Sequence, residues 1–311
     1  MSRNFGLGTR DMAQAGRQAL ARSCARGELS FSSVDTIADR WVLFCRFAKM
    51  KGVGRMERVT PPLLQQYGEG LAEQVSQGKI SASYAQNLVS AVNTVMDLVR
   101  YWSSVSPTRD CNIPERNNVR EEPPLGIDRV HLVRAITALR LAGLQRGAAV
   151  AELARELGLR SKEASLLNTV VALKDAQSRK RVVISEGTKG GKSRRVPIQS
   201  TGQVDALQRA AALQGNDRAL VPANLTWQQW REGELRLVRE MLQTFGIRRL
   251  HDLRAAYACE RYRELTGQMA PVFSGRSCDR EADLSARKII SRELGHGAER
   301  TDVVAAYIGG R

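Results

Sequence analysis

The chain has 311 residues, of which 42% are hydrophobic and 26% charged, a composition typical of a globular protein and a length sufficient for two domains. A net charge of +16 predicts a polyanionic partner, with nucleic acid first and an anionic membrane surface second. No apolar run approaches the roughly 18 residues of a membrane-spanning helix, the N-terminus lacks the apolar core of a secretory signal, and five scattered cysteines without a CxxC pair argue against a disulfide framework or a zinc site.

The first third of the chain has the pattern of a small helical domain. Residues 1–30 are basic and glycine-rich, which we interpret as an N-terminal arm with one helix. Helix-start signals follow at Ser33, Thr60 and Ser81, each ahead of apolar residues at helical spacing. Residues 31–106 are therefore predicted to form an all-helical domain.

A change of composition separates this domain from the rest of the chain. Residues 107–126 hold four prolines and many charges without periodicity, which indicates a linker. Beyond it, helical patterns are interrupted where KRVVISEG and RRVPI flank a turn rich in Gly and Lys, which predicts a β-hairpin. Residues 127–311 are expected to form the second domain. The predicted fold is thus mainly α with a small β-hairpin, an all-helical N-terminal domain followed by an α+β domain.

The segment around Arg160 admits two interpretations. GLRSKE, from Gly158 to Glu163, lies between two apolar helical stretches. It can form the turn of a DNA-reading helix-turn-helix, with a second helix from Ser161, or it can present a buried functional arginine. The residues themselves leave both interpretations open.

The turn of the predicted hairpin, GTKGGKSRR, is strongly basic and contains Lys189, Lys192, Arg194 and Arg195. A charged turn is usually only solvated. A lysine between glycines at a hairpin tip can also reach into a DNA groove, where it would contact phosphates.

Two further motifs lie towards the end of the chain. His251 and Arg254 share a helix face because they are three residues apart. Gly295 suits the end of a helix, with His296 just beyond it and Tyr307 on a short apolar stretch. Each motif alone is weak evidence, since a chance HxxR is common and a tyrosine near a chain end is more often a packing residue than a nucleophile.

Together and in this order, the motifs resemble those of the tyrosine recombinase (phage integrase) family. GLRSKEAS is similar to its first arginine box, TKGGKSRRVPI to its lysine hairpin, HDLRAAYA to its His-x-x-Arg box, and LGHGAERTDVVAAY to its histidine and nucleophile segment. The N-terminal helical domain is similar to the family's core-binding DNA-binding domain, so the resemblance covers about residues 30–311. It implies the catalytic residues Arg160, Lys189, His251, Arg254, His296 and Tyr307, and DNA contacts by Lys192, Arg194, Arg195 and Arg248.

The resemblance implies that Tyr307 attacks a DNA phosphorus and forms a 3′-phosphotyrosyl bond. Arginines suit the negative charge that develops on the non-bridging oxygens, because a guanidinium binds them bidentately and stays charged. Arg160 and Arg254 are therefore expected to hold the scissile phosphate. The covalent link conserves the bond energy, so neither a metal nor another cofactor is expected.

The proton transfers of this reaction need further groups. A phenol with a pKa of about 10 needs a base at neutral pH, for which His251 is expected, and Lys189 is expected to protonate the leaving 5′ hydroxyl. His296 is expected to hydrogen-bond the phosphate. Glu163 either orients the first arginine box or lies exposed on the surface.

Two departures from the family pattern bear on assembly. Arg254 and His296 are further apart than usual, with residues 267–283 as the apparent insertion, and four residues follow Tyr307, which leaves little room for the C-terminal helix that relatives pass to a neighbouring subunit. We expect both domains to bind double-stranded recombination sites, from opposite sides. The expected assembly is a homotetramer on DNA, joined through residues 1–30 or the 267–283 loop, and an accessory DNA-bending or directionality factor stays open.

The predicted function is that of an integrase in the bacterial cytoplasm, which integrates or excises a mobile element and has no membrane partner. Two alternatives remain. A helix-turn-helix transcription regulator explains the charge and the segment around Arg160, but not the ordered His, Arg and Tyr motifs. A type IB topoisomerase would use the same nucleophile and relax DNA without exchanging strands.

Overall fold

The computed structural model describes residues 3–310 and divides into two compact units, Met1–Asn117 and Asn118–Arg311, here called the N-terminal and the C-terminal unit. Each unit has its own hydrophobic core. Across residues 3–310, no helix is both long enough and apolar enough to cross a membrane.

The N-terminal unit is built from helices. Two of them begin at the predicted caps, since the Thr60 and Ser81 hydroxyls accept hydrogen bonds from the backbone N–H groups three residues later, at 3.4 and 3.2 Å. The helices are α1 (Met12–Ala25), α2 (Phe31–Met50), α3 (Pro61–Ser76) and α4 (Ala82–Asp97).

The predicted arm, residues 1–30, contains α1, and this helix is part of the core of the N-terminal unit. Trp41 of α2 is fully buried and its indole Nε1–H donates to Met12 O at 3.0 Å. A Cβ at Gly16 would lie 2.1 Å from the Trp41 Nε1 atom, so the close approach of the two helices requires glycine there. Because these contacts are buried, we count α1 as a helix of this unit.

The predicted linker, residues 107–126, contains the boundary between the units, and both halves are packed. Cys111 and Ile113 are buried in the core of the N-terminal unit. On the other side of the boundary, Gly126 O accepts a hydrogen bond from the buried Arg155 Nε at 2.8 Å. The prolines that indicated a linker therefore belong to non-helical segments of one unit or the other.

The C-terminal unit is mainly helical with one antiparallel strand pair, in which Val182 lies opposite Val196 and Val183 opposite Arg195. This confirms the predicted fold class, mainly α with a small β-hairpin. Its elements are α5 (Arg129–Leu141), α6 (Gln145–Glu156), α7 (Ser161–Leu166), α8 (Thr169–Arg179), β1 (Arg181–Ile184), β2 (Arg194–Pro197), α9 (Thr201–Gln214), α10 (Trp227–Glu232), α11 (Glu234–Thr244), α12 (Leu250–Thr266), α13 (Pro271–Ser274), α14 (Arg280–Glu293) and α15 (Thr301–Ile308).

Helix α12 runs through the core of the C-terminal unit and positions the site. Its middle, from Leu253 to Cys259, is buried on all sides, which suits the small side chains of Ala255, Ala256 and Ala258. Helices α6, α14 and α15 pack against it. The side chains in the first turns of α12 are thereby held next to the end of α14 and next to α15.

Candidate active site

The predicted catalytic residues lie at the ends of helices or near them. Arg160 directly precedes α7, His251 and Arg254 lie in the first turns of α12, His296 follows α14, and Tyr307 lies in α15. Although these segments are far apart in the sequence, their side chains converge in the C-terminal unit. The contacts described next establish that five of the six predicted residues form one cluster.

Tyr307 lies at the centre of the cluster, and its side chain is 3% exposed. Its hydroxyl oxygen is 3.0 Å from His296 Nε2 and accepts a hydrogen bond from Arg254 Nε at 3.4 Å. The His251 ring stacks on the tyrosine ring, with 4.9 Å between centroids. Thus the phenol contacts two histidines and one arginine.

Arg254 is fully buried and connects the first arginine box to the end of α14. Its Nη1 and Nη2 atoms donate to Gly158 O and Leu294 O, which lie in those two segments. Burial lowers the pKa of the guanidinium to about 10, an effect that Tyr307 partly offsets. The side chain therefore stays a cation at neutral pH.

Glu163 organises the arginines of the site. Its carboxylate is fully buried and accepts hydrogen bonds from Arg160 Nη1 at 2.7 Å and from Arg194 Nη1 and Nη2 at 2.8 and 2.6 Å. It also lies 3.8 Å from Arg254 Nη1. Burial by itself raises the pKa of this carboxyl, but the hydrogen bonds and charges of Arg194 and Arg160 outweigh burial and bring it to about 2. Of the two roles that the sequence left open for Glu163, the structure therefore favours orienting the first arginine box over lying exposed on the surface.

Arg194, for which a DNA contact was predicted, is buried in the structure. Its side chain is 6% exposed, and besides Glu163 it binds Glu293 O through Nε at 2.7 Å. In strand β2, Arg194 and Val196 point inward while Arg195 points outward. This alternation was visible in the sequence, because Arg194 lies two residues before an apolar strand position. All three guanidinium nitrogens of Arg194 therefore bind protein groups, Glu163 and Glu293 O, rather than facing the surface.

The remaining predicted residues are exposed and lie outside the cluster. Lys189 and Lys192 are on the hairpin turn, Arg195 is on the outer face of β2, and Arg248 pairs with Glu122 at 3.1 Å. Within residues 3–310, no hydrogen bond or ion pair joins Lys189 to the cluster. The structure thus brings five predicted catalytic residues together and leaves the lysine on the surface.

Both histidines of the cluster are neutral at pH 7. Burial lowers the pKa of His251 and of His296 to about 4, and the charge of Arg254 acts in the same direction on both. His251 keeps more than a third of its surface exposed, so water moderates the effect there. A neutral imidazole can accept a proton, which a buried imidazolium could not.

The helix-turn-helix interpretation of the segment around Arg160 does not fit the structure. Helix α7 has only six residues, and Glu163, Ala164 and Ser165 in it are buried. A recognition helix must expose a face to the major groove. This segment instead directs Arg160 and Glu163 towards the cluster around Tyr307.

A family comparison matches the part of the chain that includes this segment. The model of the Integrase family matches residues 132–260, from α5 into α12, and this range contains Arg160, Lys189, His251 and Arg254. His296 and Tyr307 lie beyond the match. No curated protein sequence matches this chain.

Solved structures with the same fold are tyrosine recombinases. A lambda integrase tetramer bound to a Holliday junction has a TM-score of 0.57 at 12% identity, over 93% of this chain and 76% of that chain. A fragment of the Tn1549 transposon integrase, in complex with circular intermediate DNA, has a TM-score of 0.54 at 12% identity, over 95% and 96%. XerH recombinase bound to its difH substrate has a TM-score of 0.51 at 16% identity, over 93% and 81%. At these identities the likeness establishes the fold.

Proposed function

We propose that this chain, which carries an Integrase-family segment on the fold of the tyrosine recombinases, cleaves and rejoins DNA at specific sites and so integrates or excises a mobile element. The observation that carries the proposal is the environment of Tyr307. Its hydroxyl lies between a neutral histidine and a buried arginine, beside a second arginine that Glu163 holds. A packing tyrosine has no need of such neighbours.

In the proposed reaction the Tyr307 oxygen forms a bond to the scissile phosphorus as the bond from phosphorus to the 5′ oxygen breaks. The protein becomes linked to the 3′ phosphate, and a 5′ hydroxyl leaves. Arg160 and Arg254 stabilise the charge on the non-bridging oxygens. Rejoining is the reverse step with a second 5′ hydroxyl, so the free energy of the bond is kept and no nucleotide is consumed.

The phenolic proton needs an acceptor, and both histidines remain candidates. His296 lies within hydrogen-bonding distance of the hydroxyl, whereas His251 contacts the ring by stacking. This geometry favours His296 for the role that the sequence had given to His251, and leaves His251 to position the ring or to contact the phosphate. Lys189 is proposed to protonate the leaving 5′ oxygen once DNA is bound.

The proposed partners are double-stranded recombination sites and further copies of this chain. Lambda integrase forms a tetramer on a Holliday junction, which supports a tetramer of this chain on DNA. An accessory DNA-bending or directionality factor would join that assembly. Because its substrate is the DNA of a cell and of a mobile element, we propose that it acts in the cytoplasm of a bacterium.

The test is a covalent adduct. Nicked duplexes tiled across the DNA that flanks the gene are incubated with the protein, and the adduct is resolved on a denaturing gel. A site-specific adduct is expected with the native chain and none with Tyr307→Phe, which keeps the ring but removes the oxygen. An adduct that persists with Tyr307→Phe would contradict the proposal, and so would relaxation of supercoiled DNA without strand exchange between two sites.

A further inference from the structure

One face of α14 carries three buried polar side chains that the proposed chemistry does not use. Asp283, Arg287 and Ser291 follow one another at four-residue spacing, so they form a row along the helix. They are at most 2% exposed. A row of buried polar groups is costly unless each one is bound. Arg287 and Ser291 bind the backbone after and before α15, and Asp283 binds Arg287.

Arg287 binds the backbone just after α15. Its Nε atom pairs with both Asp283 oxygens at 2.9 Å. Its Nη1 and Nη2 atoms donate to Gly309 O at 3.2 Å and to Gly310 O at 3.1 Å. Carbonyls at a helix C-terminus carry partial negative charge, so a cation is favoured at this position.

Ser291 binds the backbone just before α15. Its hydroxyl is 2.5 Å from Gly297 O and 3.1 Å from Arg300 O. The same face of α14 therefore fixes the chain at both ends of the helix that contains Tyr307. Helix α15 has eight residues and no side-chain hydrogen bond at its N-cap, so its position depends on such tertiary contacts.

Helix α12 and the loop that lengthens the chain between Arg254 and His296, residues 267–283, both contribute to this support. Tyr262 Oη of α12 donates to Asp283 Oδ1 at 2.9 Å, which fixes the carboxylate that holds Arg287. A Cβ at Gly309 would lie 2.7 Å from Val272 N in the loop, and Gly309 has a φ of +93°. The backbone after α15 thus lies directly on the loop, in a conformation that requires glycine.

We propose that Arg287, held by Asp283, is a positioning residue that sets the place of the Tyr307 oxygen relative to the phosphate. The proposal rests on the proposed function. Gly309, whose carbonyl Arg287 holds, is two residues beyond Tyr307, so a shift of that backbone moves the tyrosine. A misplacement of about 1 Å can reduce a reaction rate on the order of 100-fold, because the attacking and accepting atoms must be in line.

Arg155 provides a matched control for the experiment. It is 1% exposed in the same unit, pairs with one carboxylate, that of Glu260, and donates to one backbone carbonyl, that of Gly126. Among the described residues, it makes no hydrogen bond or ion pair with α15. Arg287→Met and Arg155→Met both remove a buried cation from a carboxylate and from a backbone carbonyl, so both should lower Tm.

The measurement is the single-turnover rate of adduct formation at saturating DNA, at a temperature well below the Tm of either variant. Arg287→Met should lower this rate about 100-fold with unchanged DNA affinity, and more DNA should not restore it. Arg155→Met should cleave at the native rate. Arg287→Lys, which keeps the charge and can reach one carbonyl, should recover part of the rate.

Three outcomes would overturn the proposal: a native rate for Arg287→Met, an equal loss for both methionine variants, or a loss that added DNA restores. If Arg287→Met does not fold, Ser291→Ala tests the same face, since it removes one hydroxyl and should also slow the step without weakening DNA binding. A native rate for Ser291→Ala would then count against the role of this face. If the native chain itself forms no adduct, the proposed function fails instead.

Discussion

The arginines bound to Glu163 and the lysines of the hairpin turn both concentrate positive charge, yet their surroundings are opposite. In the cluster, Glu163 binds Arg160 and Arg194 and every charge has a protein partner before DNA arrives. On the turn, Lys189 and Lys192 are exposed beside Gly190 and Gly191, which have positive φ. The arginines proposed to stabilise the charge on the phosphate are thus held in place before DNA binds. Lys189, the proposed proton donor, would be positioned only when DNA binds.

The largest expected effect is a difference in salt dependence: DNA affinity, which depends on the exposed cations, should respond strongly to salt, and stability, which depends on the buried ion pairs, should not. Raising salt from about 50 to 200 mM should lower DNA affinity by about 10³-fold or more if the exposed cations make several phosphate contacts. The free energy of unfolding should change little, because the buried ion pairs are screened much less. DNA titrations and urea unfolding at the two concentrations test this. A nearly flat DNA affinity would contradict the role given to the exposed cations.

A second test concerns the turn alone. Lys189→Ala should lower cleavage by about 10²- to 10⁴-fold, the usual range for a general acid, with no loss of stability. A substrate with sulfur in place of the 5′ bridging oxygen should restore most of the rate, because a thiolate with a parent pKa of about 8.5 leaves without a proton. Adduct formation on both substrates is the measurement.

Lys192→Ala is the matched control for Lys189→Ala, since it lies on the same turn and is equally exposed. It should cleave both substrates alike. If Lys192→Ala shows the rescue by sulfur, the lysine was matched to the wrong position of the hairpin. If neither variant shows it, the proton comes from another group.

A third test breaks the cluster. Arg194→Met removes a buried cation and two of the hydrogen bonds that the buried Glu163 carboxylate accepts, and it should cost about 3–5 kcal/mol of stability. Arg195→Met, on the outer face of the same strand, should cost less than about 1 kcal/mol. Urea unfolding measures both changes. Equal costs would mean that the inward and outward positions of β2 do not differ as described.

The smallest effect is in the pH profile of cleavage. The two histidines have a pKa of about 4, below the ordinary value of about 6.5, so they stay neutral as pH falls through 6 and should begin to protonate only near pH 4. Cleavage at saturating DNA should therefore be nearly unchanged between pH 7 and 5.5. A midpoint near pH 6.5 would show that the catalytic histidine is not desolvated.

The same shift has a consequence for folding. The unfolded chain takes up protons on these histidines near pH 6.5, and the folded chain does so only near pH 4. The unfolded state therefore binds more protons between these values, and stability should fall as pH drops from about 6.5 towards 4.

Much of this molecule could be predicted from local patterns. The period of apolar residues predicted a mainly helical fold, and Thr60 and Ser81 predicted two helix starts. These two signals are carried by neighbours in the sequence, where spacing decides which face a side chain shares. The meeting of Arg160, His251, Arg254 and His296 at Tyr307 was instead implied by the resemblance of the ordered motifs to a family.

The rest depends on pairings that local patterns do not encode. Glu163 meets Arg194 across 31 positions of sequence, and Arg194 meets Glu293 O across 99. A basic turn predicted solvated arginines, but one of them lies on the inner side of a strand and is bound by a buried carboxylate. Likewise, the basic composition of residues 1–30 predicted an arm, and it does not encode the close packing of Gly16 in α1 against Trp41 in α2.

The burial of Arg254 has a consequence for the protein when no DNA is bound. Its guanidinium is 0% exposed and its nitrogens hold Gly158 O, Leu294 O and the Tyr307 hydroxyl. A phosphate can reach this arginine only if one of those internal partners gives way. In the free protein the proposed nucleophile, Tyr307, and the proposed phosphate-binding Arg254 are therefore bound to each other. A ligand that binds through many other contacts can supply the free energy to separate them, so the proposed reaction should be latent until DNA is bound along the protein.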